Sequence, residues 1–349
     1  MAENKLFYVT SSPHIKDRVT TSKIMLYVII ALLPATVAGV IFFGKYALQT
    51  ILISVLAAVA TEYLIEKAFG MKHTIGDFSA ALTGLLLALI LPPYVPWWIP
   101  VIGSFVSISV AKMPFGGLGK NIFNPALVGR AFLMASWPTL MTTTWGAGAK
   151  HLLASGIEKS GAFTQYLHLH GLDALTNATP LALMKHGLSD PNVISKLTSA
   201  HNLWHLFWGN VGGTIGETSA LLLLIGGLFL LIKKVISWHI PVSMLAAIFL
   251  FSWIFPRKGA AAFFSGYPLF EILAGGAFIG ALFMATDYVT SPLLSKGKLI
   301  YGASIGFIVV MIRNYGGYPE GVNYAILIMN AFVPLIDRYT RPKIFGEKK

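Results

Sequence analysis

The sequence predicts an all-α polytopic membrane protein, with about ten transmembrane helices in two inverted five-helix halves. Three observations carry that prediction. Of 349 residues, 55% are hydrophobic and only 11% charged, where a soluble globular chain carries about a quarter charged. So much apolar surface has no place to hide from water in a soluble fold. Apolar runs close to spanning length recur along the chain. A short pattern also repeats 200 residues apart, each time at the entry to the last run of a set of five.

In order, the runs fall near 24–43, 47–65, 78–94, 97–111, 122–144, 215–232, 236–255, 268–287, 299–312 and 321–337. The first is too long for a signal-peptide core and no small-residue cleavage site follows it, so it reads as an uncleaved span. Pro92, Pro93, Pro96 and Pro100 crowd the third and fourth runs, and Gly116, Gly117, Gly119 and Pro125 crowd the entry to the fifth. Broken or re-entrant segments are expected at both places, with their backbone buried in protein. The chain divides into three blocks: a first half over 1–145, a polar extracytoplasmic interval over 146–210, and a second half over 211–349.

The repeat pairs Gly116-Gly117, Leu127 and Ala131-Phe132 with Gly316-Gly317, Leu327 and Ala331-Phe332. Because five is odd, two such halves face opposite ways in the membrane, the plan of many transporters. Orientation follows from Lys and Arg. With the N-terminus inside, 17 of them fall on inner segments and 8 on outer ones, and Arg130 is left within the fifth run. Both termini are then cytoplasmic and the polar interval lies outside. The net charge of +12 is explained the same way, without nucleic acid.

Cysteine is absent, which excludes thiolate chemistry, disulfides and cysteine-ligated clusters in this chain. The nine histidines suggest no metal constellation. His201 and His205 stand four apart, but Trp204 and Trp208 interleave with them, as in an interfacial amphipathic segment. No glycine-rich dinucleotide or Walker loop occurs, so neither NADH nor ATP is expected on this chain.

Ionisable groups within spans are costly and are functional candidates by default. Asp287 ends the eighth run beside Thr286, close to Thr290 and Ser291. A carboxylate among hydroxyls suits Na+ and can equally relay protons. Asp77 opens the third run and reads first as a charge favoured by a helix N-terminus. Glu217 and Glu271 read the same way, and Glu62 and Glu66 as solvated side chains. Arg130 needs a partner, and its expected role is to hold the break at Asn124-Pro125, with a flavin contact as the lesser alternative.

The polar interval contains Asp173-Ala174-Leu175-Thr176-Asn177-Ala178-Thr179-Pro180-Leu181. Thr179 as N-cap and Pro180 at the first helical position predict a short helix. A helix start also offers free N–H groups to a phosphate.

Asp173-x-x-Thr176-x-Ala178-Thr179 resembles the acceptor motif of flavin transferases, which attach FMN by a phosphoester to its last Thr or Ser. Three more segments point the same way: Ser11-Ser12-Pro13-His14-Ile15 with Thr20-Thr21, then Gly116-Gly117-Leu118-Gly119 through Asn124-Pro125-Ala126-Leu127 to Gly129-Arg130, and Phe283-Met284-Ala285-Thr286-Asp287. Together they resemble the D subunits of Rnf ion-translocating ferredoxin:NAD oxidoreductase complexes, and more distantly the B subunits of sodium-translocating NADH:quinone reductases. The motif departs from the usual acceptor pattern at Asn177, where Gly is common.

This resemblance implies a urea-transporter-like fold, covalent FMN on Thr179 and a non-covalent riboflavin inside the helical body. It implies electron transfer with partner subunits of the complex, coupled to Na+ or H+ movement, and maturation by a flavin transferase. It places the chain in a bacterial or archaeal cytoplasmic membrane. In this reading Asp173, Thr176 and Ala178 belong to the cofactor site with Thr179, and Asp287, Thr286 and Asp77 to an ion path. The rivals are a secondary transporter or channel with no redox role, and a scaffold subunit. Neither of these has a use for a flavin acceptor motif.

Overall fold

The computed structural model describes residues 20–143, 179–186, 191–209, 212–217, 219–257 and 263–341. Among these residues every regular element is helical. Helix α1, Thr21–Phe43, starts where the Thr20 hydroxyl accepts from the Lys23 N–H, and it stops at Gly44, whose φ of 68° few other residues adopt. Helix α2 is Lys45–Ala68. Four helical stretches are long and apolar enough to cross a membrane: Thr21–Phe43, Lys45–Ala68, Trp98–Phe115 and Ser295–Tyr315. Large side chains such as Ile41, Leu56 and Leu64 point outward from the first two, as a lipid-facing surface requires.

The other expected spans are shorter or broken, each for a local reason. The third run is helical only over Ser79–Leu89 (α3), because Pro92, Pro93 and Pro96 lack the N–H a helix needs. Helix α4 is Trp98–Ser109 and runs on into a 3-10 turn at Met113–Phe115. The fifth run divides into α5, Pro125–Ser136, and α6, Pro138–Thr143, with Pro138 starting the new helix. Within the polar interval lie α7 (Pro180–His186), α8 (Pro191–Leu197) and α9 (Ala200–Trp208).

The sixth run begins its helix late, as α10, Ala220–Ile232, capped by Ser219, and α11 is His239–Ile254. The eighth run, read as one span, is instead three pieces: α12, Pro268–Leu273; α13, Ala277–Ile279; and a π turn, Gly280–Met284. Helices α14, Ser295–Tyr315, and α15, Val322–Thr340, complete the described chain.

Packing pairs the two sets of helices alike. Helix α2 packs on α3 and α4, and α4 on α5; α11 packs on α12 and α14, and α14 on α15. The first helices of the sets, α1 and α10, pack on each other, as do the last, α5 and α15. The α1–α10 contact depends on Gly226: a Cβ there would lie 2.1 Å from the Ala31 carbonyl oxygen. Such close backbone approach is how helices associate where lipid supplies no hydrophobic drive. One apolar core runs through both sets, from Leu32 and Leu87 to Ile279, Ile305 and Ile326.

Backbone freed at the breaks is satisfied within the protein. The N–H groups of Ile215 and Gly216 donate to the carbonyls of Leu91 and Leu89, at 3.2 and 2.7 Å. This joins the end of α3 to the extended approach to α10. The end of the bundle where α1 starts is the near end. The end where α1 finishes, against Ile215, is the far end.

Candidate functional site

Two clusters of buried charge stand at opposite ends of the bundle. At the near end Lys112, 2% exposed, places Nζ 2.6 Å from Glu62 Oε2 and 2.6 Å from Ser79 Oγ. Glu66 accepts from the backbone N–H and hydroxyl of Thr74 and faces His73 at 3.3 Å. Glu62 and Glu66 are therefore buried ion-pair and capping groups, not the solvated side chains expected from their place near a span end. Asp77 accepts from the Ser79 N–H at 2.7 Å, which is the helix-start role expected of it.

Between the sets of helices at this end lies a cavity of about 80 Å³. Its polar lining includes Lys112, Ser79, Asn121, Asn124, Thr286 and Asp287. The π turn and the bend after it bring Thr286 and Asp287 here. Asp287 accepts from the Val289 N–H at 3.4 Å and the Thr290 hydroxyl at 3.2 Å. The Thr286 hydroxyl is committed to the Leu282 carbonyl at 2.8 Å, so Thr290, rather than Thr286, is the hydroxyl that serves the carboxylate. Asn124 caps α5 through the Ala126 N–H and donates to the Met284 carbonyl at 3.3 Å. Asn124 thus holds the break at Pro125, the role expected of Arg130.

Arg130 lies instead at the far end. Its Nη2 is 2.9 Å from Glu320 Oε2, and its Nη1 is 3.7 Å from Glu217 Oε1. Glu320 also accepts from the Gly276 N–H. Beside it, Arg257 donates from Nε and Nη2 to Glu271 Oε1, at 2.9 and 2.6 Å. Arg313 donates from Nη1 to Glu271 Oε2 at 3.0 Å, and also to the Glu271 carbonyl. From Nη2 it reaches the Ala274 carbonyl at 3.1 Å. Arg313 and Glu320 thereby cap the backbone exposed where α12 breaks from α13. Glu217 and Glu271 read from the sequence as helix-start charges; Glu271 does lie in the first turn of α12, and both side chains are buried members of this network.

Thr179 stands over the far end. Its hydroxyl accepts from the Ala182 N–H at 3.2 Å and its carbonyl from the Leu183 N–H at 2.9 Å, so it is the expected N-cap of α7. Leu181 of the same helix reaches the Gly275 region, beside Arg313 and Glu320. Lys185 donates to the carbonyls of Gly316 and Tyr318, both at 2.6 Å. Burial, with Arg257 nearby, holds its ammonium below the usual lysine range. Asp173, Thr176 and Ala178 lie outside the described residues, as does most of the polar interval.

A second cavity, of about 110 Å³, opens beside this network. Ile194 of α8, Arg257, Glu271 and Asn314 line it. The Nη1 of Arg257 is buried there with no hydrogen-bond partner among the described residues. His201 and His205 meet through Nε2 atoms 3.1 Å apart. Among the described residues no three His, Cys, Asp or Glu side chains gather as a metal site.

The far-end network was invisible in the sequence because its members come from five separated stretches. The one available signal was that Glu217, Glu271, Arg257 and Arg313 each border an apolar run, at the same predicted side of the membrane.

Comparison with known proteins agrees with the motifs. Over 99% of its length the chain is 46% identical to the D subunit of the proton-translocating ferredoxin:NAD(+) oxidoreductase complex of Clostridium ljungdahlii, covering 98% of that protein. It is 43% identical to the D subunit of the Na(+)-translocating complex of Acetobacterium woodii, over 98% of this chain and 96% of the other. The D subunit of the ion-translocating oxidoreductase complex of Aliivibrio salmonicida is 40% identical over 98% of this chain and 99% of its own. The NQR2, RnfD, RnfE family profile matches residues 8–346, and the chain belongs to that family.

Proposed function

We propose that this chain is the membrane D subunit of an Rnf-type ion-translocating ferredoxin:NAD oxidoreductase complex, bearing FMN on Thr179 and an ion path through Asp287. The observation that carries the reading is the acceptor pattern Asp173-x-x-Thr176-x-Ala178-Thr179 in a chain matched end to end by relatives of that name. The ten-helix, inverted-repeat and urea-transporter-like plan is part of the same proposal, supported by the like pairing of helices in the two sets. So is the cytoplasmic placement of both termini, supported by the distribution of Lys and Arg.

The far end suits a phosphorylated cofactor. Thr179 accepts, rather than donates, in its capping bond, so its oxygen can carry a phosphoester at the cost of a cap. Lys185 pins the helix to the loop at Gly316. Next to it Arg257 offers a buried N–H with no partner among the described residues, and an anion would complete that guanidinium. FMN bound there would accept and pass on electrons; the chain's part is to fix its position and supply cationic surroundings.

At the near end, Asp287, Thr286, Asn121 and Asn124 line a cavity that fits an ion and water. A second flavin, riboflavin, within the helical body is part of the same proposal. The Clostridium and Acetobacterium relatives carry different ions in their names, H+ and Na+, so likeness to them leaves the ion open.

The test is in-gel ultraviolet fluorescence of the denatured chain, co-expressed with its flavin transferase, for wild type and Thr179→Ala. A fluorescent wild type and a dark Thr179→Ala are expected. A dark wild type would return the chain to the transporter or channel reading, and a fluorescent Thr179→Ala would move the acceptor to Thr176. For the ion path, Asp287→Ala should lower ion translocation more than flavin loading, and unchanged translocation would reject the assignment.

A further inference from the structure

The far-end network contains one carboxylate oxygen that the rest of it leaves unused. Glu271 accepts from both Arg257 and Arg313. Glu320 accepts from Arg130 and from the Gly276 N–H. Glu217 is different: its side chain is 6% exposed, its Oε1 is buried without a hydrogen bond among the described residues, and Arg130 Nη1 stands at 3.7 Å. The hydroxyl of Thr214, three residues earlier and fully buried, faces the Glu217 carboxylate.

Both carboxylates point at Gly276. A Cβ on that residue would lie 2.6 Å from Glu320 Oε1 and 2.8 Å from Glu217 Oε1. With φ at −78°, Gly276 is not there for an unusual backbone angle; it is there for room. The two oxygens thus converge on the break between α12 and α13, with a single guanidinium between them. Arg130 comes from the first set of helices, and the two glutamates from the second. The other charged or titratable groups facing the pair are Arg313 of α14, which lies beside Glu320 at Gly275, and Tyr324 of α15, beside Arg130. Glu271 and Arg257 are occupied with Arg313 and with each other.

Two carboxylates that share one cation at low dielectric do not both ionise without cost, and a proton between them removes the conflict. When Glu217 is protonated, its O–H can donate to Glu320 and Arg130 keeps one carboxylate. When it is ionised, Arg130 has two. Neither state strands a buried charge without a partner, and this is the requirement for a group that exchanges its proton.

We propose that Glu217, paired with Glu320 across Gly276, is a proton-exchange site at the far end of the seam between the two sets of helices. The exchange moves one proton on and off Glu217 Oε1 and changes no other bond. Glu217 would then hand protons across the far half of the bundle, opposite the Asp287 cavity. This extends the ion-translocating reading and rests on it only for its physiological role.

The experiment is pH-difference infrared spectroscopy of the purified full complex, for wild type, Glu217→Gln and Gly276→Ala, each repeated with and without Na+. A carboxylic-acid C=O band that titrates in wild type and is missing in Glu217→Gln is expected. In Gly276→Ala, where the added methyl separates the carboxylates, that band should shift its midpoint by an amount equal to about a tenfold or larger change in proton affinity, a typical coupling between interacting sites. Spectra of Glu217→Gln that superimpose on wild type at every pH overturn the proposal. So does a band in wild type that responds to Na+ at fixed pH and not to pH. If Glu217→Gln fails to assemble, Gly276→Ala decides alone, and an unmoved midpoint there overturns it. Flavin fluorescence is independent of these outcomes, so failure here and failure of the redox reading are told apart.

Discussion

The near-end and far-end charge clusters are made of the same kinds of group, yet they are finished differently. At the near end Lys112 has two partners, Glu62 and Glu66 are each bonded, and none of these three side chains holds an orphaned buried atom. All of them come from α2 to just beyond α4. At the far end Glu217 Oε1, Arg257 Nη1, Arg313 Nε and Asn314 Oδ1 are buried without hydrogen bonds among the described residues. Its members span both sets of helices and sit on helix breaks. Buried polar networks that are complete hold a structure rigid, while incomplete ones mark a ligand, a proton or a switch. The near cluster locks helices of one set; the far cluster joins the two sets around groups with capacity to spare.

The largest effect that would separate the two is loss of Glu271. Glu271→Ala leaves Arg257 and Arg313 buried without their carboxylate and frees the carbonyl-capping geometry of Arg313. Breaking a buried pair in this way costs about 3–5 kcal/mol, so Glu271→Ala is expected to prevent accumulation of folded chain, read as monodisperse protein in detergent. Next is Lys112→Met, which strands Glu62. It should destabilise by about 3–5 kcal/mol, and the double change with Glu62→Leu should recover most of that, measured by thermal unfolding in detergent. If the double variant is no better than the single, the near cluster is not a simple lock.

Glu217→Gln should cost less than about 1 kcal/mol in the same assay, because its Oε1 gives up no hydrogen bond. A loss as large as that of Lys112→Met would show that the 3.7 Å approach to Arg130 is a full ion pair and erase the contrast. Most local is Thr179→Ala before flavin attachment, with the smallest effect on the helical body. Losing a cap at a surface helix costs about 0.5–2 kcal/mol locally, seen as faster proteolysis of the polar interval with no change in the unfolding of the helical body.

Much of the fold was legible. Proline without an N–H ends α3, Pro125 starts α5, and Thr179-Pro180 caps α7, because these are local rules of backbone chemistry; the second start, at Pro138, was read as part of one run. The π turn and the break at Ala274–Gly276 were not, since an apolar run such as 268–287 has the same hydropathy whether its helix is continuous or not. The burial of the acids was hidden for a related reason. Glu62, Glu217 and Glu271 each border an apolar run, and that is where water-exposed carboxylates also sit.

Composition and motif therefore determined the class, the helix boundaries set by proline, the family and the candidate acceptor threonine, all of which depend on neighbours close in the chain or on hydropathy averaged over it. Which charges are buried, and with whom, was decided only by the tertiary structure. Glu62 meets Lys112 from 50 residues away and Arg130 meets Glu320 from 190. A charge's burial depends on what packs over it, and a partner that distant leaves no trace in the local sequence.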